Sequence, residues 1–189
     1  WAAGVGAGAL AALAAGLATP RGALDRYGHC GFAGGSIALI VSTFRASGAA
    51  AAAGFGLSVL YGCLVAALAA AFAGAVLADP GVVTAGGGAD RLQAVVDLAR
   101  RGKLDDGVLC PTCLVPRAPR SKHDPTLDRC VRRFDHYCPF VANAVGARNY
   151  KFFCAFLLLV VVTIALHLAL VLPRLRPCGP GGAARDAAG

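Results

Sequence analysis

"FFCAFLLLVVVTIALHLALVL", residues 152–172, runs for 21 positions without a formal charge, and its reading decides the fold. A helix crosses a bilayer with about 20 mostly apolar residues, because its backbone groups are satisfied internally where no water reaches. The stretch therefore predicts a transmembrane helix. His167 inside it reads first as a packed helix residue, with a functional intramembrane group as the rarer alternative. Composition agrees, at 57% hydrophobic residues and a mean hydropathy of +0.64, too apolar for an ordinary soluble domain. Working outward, Ala49 to Ala78 is long enough to span with tilt. Cys30 to Phe44 is short at 15 residues but can be extended by its flanks, and Trp1 to Ala18 is weakly apolar and rich in Ala and Gly. About three spans are expected within 1–78. A signal peptide over 1–18 competes with the first of them but lacks a basic n-region.

Charge places the rest. Twelve of the 18 Lys and Arg residues fall between Gly81 and Lys151. Basic loops stay cytosolic, so this stretch is expected in the cytosol, with the 19–29 linker (Arg21, Arg26) on the same side. The tail 173–189 is expected to be flexible and on the opposite side, with Trp1. The net charge of +8 does not point to nucleic acid, because the cations sit between spans. A chain that begins at Trp1 is expected to be a piece of a longer protein.

Residues 79–109 read as a linker with an amphipathic helix. Asp79-Pro80-Gly81 is a turn. In "ADRLQAVVDLARRGK", residues 89–103, Asp90 is the expected N-cap, Leu92, Val95, Val96 and Ala99 share a face, and Gly102 closes the helix. That helix either packs on its own module or lies at the membrane surface, with Arg100 and Arg101 near lipid headgroups. From Leu109 to Ala147 periodicity disappears, and a segment of this kind needs something other than a large core to hold it. Cys63 and Cys154 read as small apolar fillers, and Cys30 also lies in an apolar segment. Cys110, Cys113, Cys130 and Cys138 cluster in the polar stretch. "CPTCLVPRAPRSKHDPTLDRC", residues 110–130, sets Cys110, Cys113, His123 and Cys130 within 21 residues. Four soft N and S ligands suit tetrahedral zinc, which can supply folding energy to a coreless loop; a redox pair or metal-free thiols are the alternatives. In "RRFDHYCPFVANAVG", residues 132–146, Asp135, His136 and Cys138 are either a reactive thiol beside its base or the edge of a metal knuckle.

The stretches "DPG" (79–81), "CPTCLVPRAPRSKH" (110–123) and "RCVRRFDHYCPFVANAVGARNYKFF" (129–153) resemble the DHHC protein S-acyltransferases, or palmitoyltransferases. The lead-in "DLARRGKLDDGVLCPTCL" favours their ankyrin-repeat subclass, in which a DHYC version is known. The fold this implies is an α-helical polytopic membrane protein with a small cytosolic zinc-binding cysteine-rich domain. That domain would cover 110–151, ahead of the span 152–172. The family normally holds two structural zincs. Cys110, Cys113, His123 and Cys130 match the first site, while the second would need ligands where this chain has Asp124, Leu127, Tyr137 and Ala144. One zinc is therefore expected, with Leu127, Tyr137, Val141 and Val145 packing the other half.

The resemblance also assigns the thiol. It implies that Cys138 takes a fatty acyl group from palmitoyl-CoA and passes it to a cysteine of a client protein. His136 would take the thiol proton and Asp135 would orient the imidazole, as in other nucleophile–base–acid arrangements. Arg117, Arg120, Lys122, Arg132 and Arg133 either contact CoA phosphates or serve orientation and attraction to anionic lipid. Phe140 stands where the family usually has Trp, so acyl handling can differ. Asn143 and Asn149 match family positions and read as structural hydrogen-bonders. The family's Thr-Thr-x-Glu segment has no counterpart within these residues, which truncation explains as well as loss. The resemblance further implies partners in the lipid bilayer and in client proteins with cytosolic cysteines, and a Golgi or other endomembrane location. The competing reading is a catalytically inactive, zinc-supported membrane scaffold.

Overall fold

A computed structural model describes residues 21–175, apart from 85 and 106. The expected first span, 1–18, and nearly all of the tail lie outside the described residues. Helix α1 covers Arg21–Ala46. It is longer than the stretch Cys30 to Phe44 and takes in the described part of the expected 19–29 linker, since no proline interrupts 21–46. Its hydroxyls do not break it, because they fold back on the helix. Ser36, Ser42 and Thr43 donate to the carbonyls of Phe32, Ala38 and Leu39 at 2.8 to 2.9 Å. Ser47 and Gly48 then turn the chain, with Gly48 at φ +69°. Helix α2, Ala49–Leu77, runs back along α1 with a break at Gly54, where φ is +77°. The Ser58 hydroxyl spans that break to the Ala50 carbonyl at 2.9 Å.

Helix α4, Tyr150–Val171, continues through a 3₁₀ turn at Leu172–Arg174. Among the described residues, Ala49–Leu77 and Tyr150–Arg174 are the two helices long and apolar enough to cross a membrane. They pack against each other through two apolar clusters. One joins Leu68, Ala71 and Ala75 of α2 to Phe156 of α4, and Cys138, Val141 and Val145 belong to it. The other joins Phe44, Ala49, Tyr61, Val65 and Val171. Beside this second cluster, Tyr61 donates to His167 Nδ1 at 2.8 Å, and His167 Nε2 meets Thr43 Oγ1 at 3.2 Å. Both ring nitrogens are engaged, so His167 ties three helices together, which is the packed role its position suggests.

Helix α3, Gly88–Arg100, departs from expectation at its start. Its N-cap is Gly87, and Asp90 sits inside the first turn, where a carboxylate still opposes the positive end of the helix dipole. Gly102, at φ +63°, donates to the Ala99 carbonyl, and Lys103 donates to that of Leu98, closing the helix. None of its residues is buried, and Leu92 is 64% exposed. Three antiparallel hairpins follow: β1 (Leu109–Cys110) with β2 (Val115–Pro116), β3 (Lys122–Asp124) with β4 (Arg129–Val131), and β5 (His136–Cys138) with β6 (Asn143–Val145).

The Asp79-Pro80-Gly81 corner stitches the hairpins to the helices. The Arg132 amide donates to Gly81, that of Val83 to Cys130, and that of Arg148 to Pro80. Gly146 must be glycine, because a Cβ there would lie 2.5 Å from the Pro80 carbonyl oxygen and from Val131 Cγ1. Asp79 Oδ1 accepts the Gly81 and Val82 amides at 2.9 Å, and Oδ2 pairs with Arg148 Nη1 at 2.6 Å. The Val82 amide, followed by that of Gly81 and by Arg148, holds the Asp79 carboxyl below the usual carboxylate range. A depressed folded pKa gives stability that is present above the unfolded value of about 3.9 and is lost as pH falls through the folded one. Asp79→Asn should therefore cost about 0.5–1 kcal/mol near neutral pH, a small figure because the pair is half exposed. Thermal melts in detergent would show the gap from wild type closing in acid; a gap independent of pH would refute the assignment.

Candidate active site and metal centre

The β1–β2 turn and the β3–β4 hairpin bring Cys110, Cys113, His123 and Cys130 together. Their ligand atoms all lie within 4.8 Å of one another, the one such group of three or more among the described residues. Donors around a tetrahedral zinc with metal–sulfur bonds of about 2.3 Å stand roughly 3.8 Å apart, so the set fits the ion with a small contraction. Cys110 and Cys130 are buried, with Val115 beside them in a small apolar cluster. Cys113 Sγ is 3.2 Å from His123 Nδ1. Burial, with the neighbouring thiols Cys110 and Cys113, pushes the Cys130 thiol up to about 12. Burial also acts on Cys110, but hydrogen bonds from the Cys113 amide, the Cys130 thiol and the Thr112 amide outweigh it and bring that thiol below its ordinary value. Four soft donors gathered this closely, two of them buried, suit a bound metal.

The four positions at which the resemblance would put a second set of ligands hold other side chains. Asp124 is buried, and its Oδ1 accepts the Thr126 amide at 2.8 Å as a turn former. Ala144 is fully buried opposite Tyr137 in the β5–β6 ladder. Val141 and Val145 are fully buried in the cluster shared with α2 and α4, whereas Leu127 is only half-buried.

Strand β5 carries the thiol. Alternation along a strand puts His136 and Cys138 on one face and Tyr137 on the other. His136 Nδ1 donates to Asp135 Oδ2 at 2.9 Å, and its ring stands edge-on to Phe153 of α4 at 5.2 Å. With Nδ1 carrying the proton, the Nε2 lone pair is free to act as a base. Cys138 is 7% exposed, set among Leu68, Ala71, Ala75 and Phe156 at one end of the α2–α4 pair. Phe140 is half exposed and meets the His29 ring of α1 edge-on at 5.5 Å.

A cavity of about 630 Å3 adjoins this strand, lined by Arg120, Arg133, Arg148 and Lys151, with Asp135 and Tyr150. Of the five cations singled out in the sequence, Arg120 and Arg133 meet there. Arg117, Lys122 and Arg132 are not in the lining: the Arg117 amide bonds to Val108, Lys122 pairs with Val131 in the hairpin, and Arg132 spends its backbone on the Gly81 corner. Sequence reasoning missed Arg148 and Lys151. Arg148 follows the turn at Gly146 and Lys151 lies in the first turn of α4, so their meeting depends on that turn and left no local signal in the sequence.

The Asn143 amide donates to the carbonyls of Ala75, Val76 and Ala78 at 3.0 to 3.3 Å. Asn149 donates to Ala144 at 2.8 Å and accepts the Gly146 amide at 2.8 Å. Each buried carbonyl left without a donor would cost about 1–3 kcal/mol, so Asn143 fastens β5–β6 to the end of α2, while Asn149 ties β6 to the turn that follows it.

Two helices apolar enough to cross a membrane, a four-donor cluster that could hold a metal ion, and Cys138 on the strand of His136 are thus brought into one unit. Residues 103–178 match the family model described as DHHC palmitoyltransferase. Over 97 residues it is 41% identical to palmitoyltransferase AKR1 of Mortierella alpina, covering 51% of this chain and 17% of that protein. It is 42% identical over 79 residues to palmitoyltransferase ZDHHC17 of Homo sapiens (42% and 12%), and 38% over 89 residues to palmitoyltransferase Hip14 of Drosophila melanogaster (46% and 14%). The matched segments thus span between 12% and 17% of the length of these three relatives.

Proposed function

We propose that the chain is the catalytic membrane portion of a protein S-palmitoyltransferase. The observation that carries this reading is the Asp135–His136 hydrogen bond on the strand that holds Cys138 at the end of the apolar helix pair. In the first step the Cys138 sulfur, its proton taken by His136 Nε2, attacks the thioester carbonyl of palmitoyl-CoA. CoA leaves as the thiolate and takes that proton. In the second step a client cysteine thiol attacks the Cys138 thioester, and its proton passes through His136 back to the Cys138 sulfur. Asp135 fixes the tautomer and balances the imidazolium.

The polytopic arrangement has the acyl chain in the bilayer beside α2 and α4, with the CoA phosphates at Arg120, Arg133, Arg148 and Lys151. Cys110, Cys113, His123 and Cys130 hold one zinc, which supplies a structural cross-link between the first two hairpins. The cation-rich stretch 81–151 faces the cytosol, where client cysteines reach Cys138. A Golgi or related endomembrane is the location that the family resemblance supports.

Intact mass of the purified full-length protein after palmitoyl-CoA tests the reading. One palmitoyl adduct per chain, removed by neutral hydroxylamine and mapped to Cys138, is expected. A folded, zinc-loaded protein without an adduct would favour the scaffold instead.

A further inference from the structure

The end of α2 poses an electrostatic problem for the site. The last carbonyls of a helix lack intrahelical donors and carry the negative end of its dipole. In α2 these include Ala75 and Val76, with the carbonyl of the extended capping residue Ala78 just beyond, and Ala75 shares a packing cluster with Cys138. A sulfur that must become an anion, and then support a tetrahedral oxyanion, is therefore seated against like charge in an apolar setting. His136 lies two positions before Cys138 on β5 with Asp135 bonded to it, and Cys30 of α1 is close enough for its charge to be felt. The apolar cluster that holds Cys138 takes Leu68, Ala71 and Ala75 from α2 and Phe156 from α4.

Asn143 stands between the two. It is the cross-strand partner of Cys138 in the β5–β6 ladder, it is buried, and its amide nitrogen donates to all three carbonyls. We infer that Asn143 is a positioning residue for the thiol: its amide docks the nucleophile's strand on the end of α2 and screens the reacting sulfur from that helix's negative end. The inference rests on Cys138 being the nucleophile. Asn149 does not share this role, because its short bonds go to Ala144 and Gly146 within the hairpin and turn, and its contact with Ala75 is long at 3.4 Å.

Asn143→Asp keeps the size of the side chain and removes both donors, while Asn143→Gln keeps the amide. In full-length protein that retains its zinc, Asn143→Asp should lower kcat for acyl-enzyme formation about tenfold with KM for palmitoyl-CoA within twofold. Alkylation of Cys138 by iodoacetamide at neutral pH, followed by peptide mass spectrometry, should slow by a similar factor in the folded protein and not in urea. Asn143→Gln should recover most of both. The alkylation readout needs no acyl-CoA, so it separates this inference from the proposed activity, which fails on its own if the wild type forms no adduct. If Asn143→Asp loses its zinc, Asn143→Leu, which likewise has no donor, carries the same comparison. A wild-type alkylation rate in the folded variant without a donor, or a loss expressed only in KM, would overturn the role.

Discussion

Cys138→Ala protein incubated with palmitoyl-CoA should show no hydroxylamine-labile adduct at all, a loss larger than any other single substitution here can produce. Cys63 and Cys154 remain in such a protein, but both are exposed on apolar helices, while the Asp135–His136 pair stands on and beside the strand of Cys138. His136→Ala should keep the nucleophile and lose its base, cutting acyl-enzyme formation by about 10²–10⁴-fold. Asp135→Asn changes only which nitrogen of His136 carries the proton, yet it should approach the same loss because the lone pair would then face the introduced amide instead of the thiol. A quench-flow time course of adduct formation gives all three rates. Adduct formation in Cys138→Ala at the wild-type rate would end the proposal that this thiol is the acyl carrier.

The second large effect concerns the metal. Cys130→Ala removes a buried donor from the four-ligand cluster. Structural zinc is worth about 10–16 kcal/mol of apparent binding energy, comparable with or above the roughly 5–15 kcal/mol that holds a whole domain together. The variant should lose its zinc by elemental analysis and lose hydrogen-exchange protection across β1 to β4. Protection in β5–β6 should persist in part, because Val141 and Val145 are buried against α2 and α4 rather than against the knuckle. A fully protected, metal-free β1–β4 region would show that packing alone suffices there.

How far the sequence carried the fold follows from which forces act locally. The uninterrupted apolar run at 152–172 and the two-residue spacing in Cys110-x2-Cys113 depend only on neighbours along the chain, and both were readable. The start of α3 was misread, because Asp90 and Gly87 both satisfy capping preferences and only the path of the preceding chain chooses between them. The extent of α1 was also out of reach, since its serines and threonine return their hydroxyls to their own helix, which composition does not reveal. At the site, Asp135, His136 and Cys138 were visible as adjacent residues. The lining cations Arg148 and Lys151 were not, because a turn at Gly146 decides where they stand. The three carbonyls that Asn143 satisfies lie 65 to 68 positions away, a distance no local pattern spans.

The corner at Asp79-Pro80-Gly81 bears on how the protein is made. Its backbone bonds need partners at 130–132 and at 147–148, and Gly146 must slide beneath Pro80 for them to close. During synthesis α1 and α2 therefore emerge long before the seam that seats β5 can form. Strand β5, and Cys138 with it, can be seated only once residues 146–148 have emerged, in a chain whose earlier helices already exist to receive it.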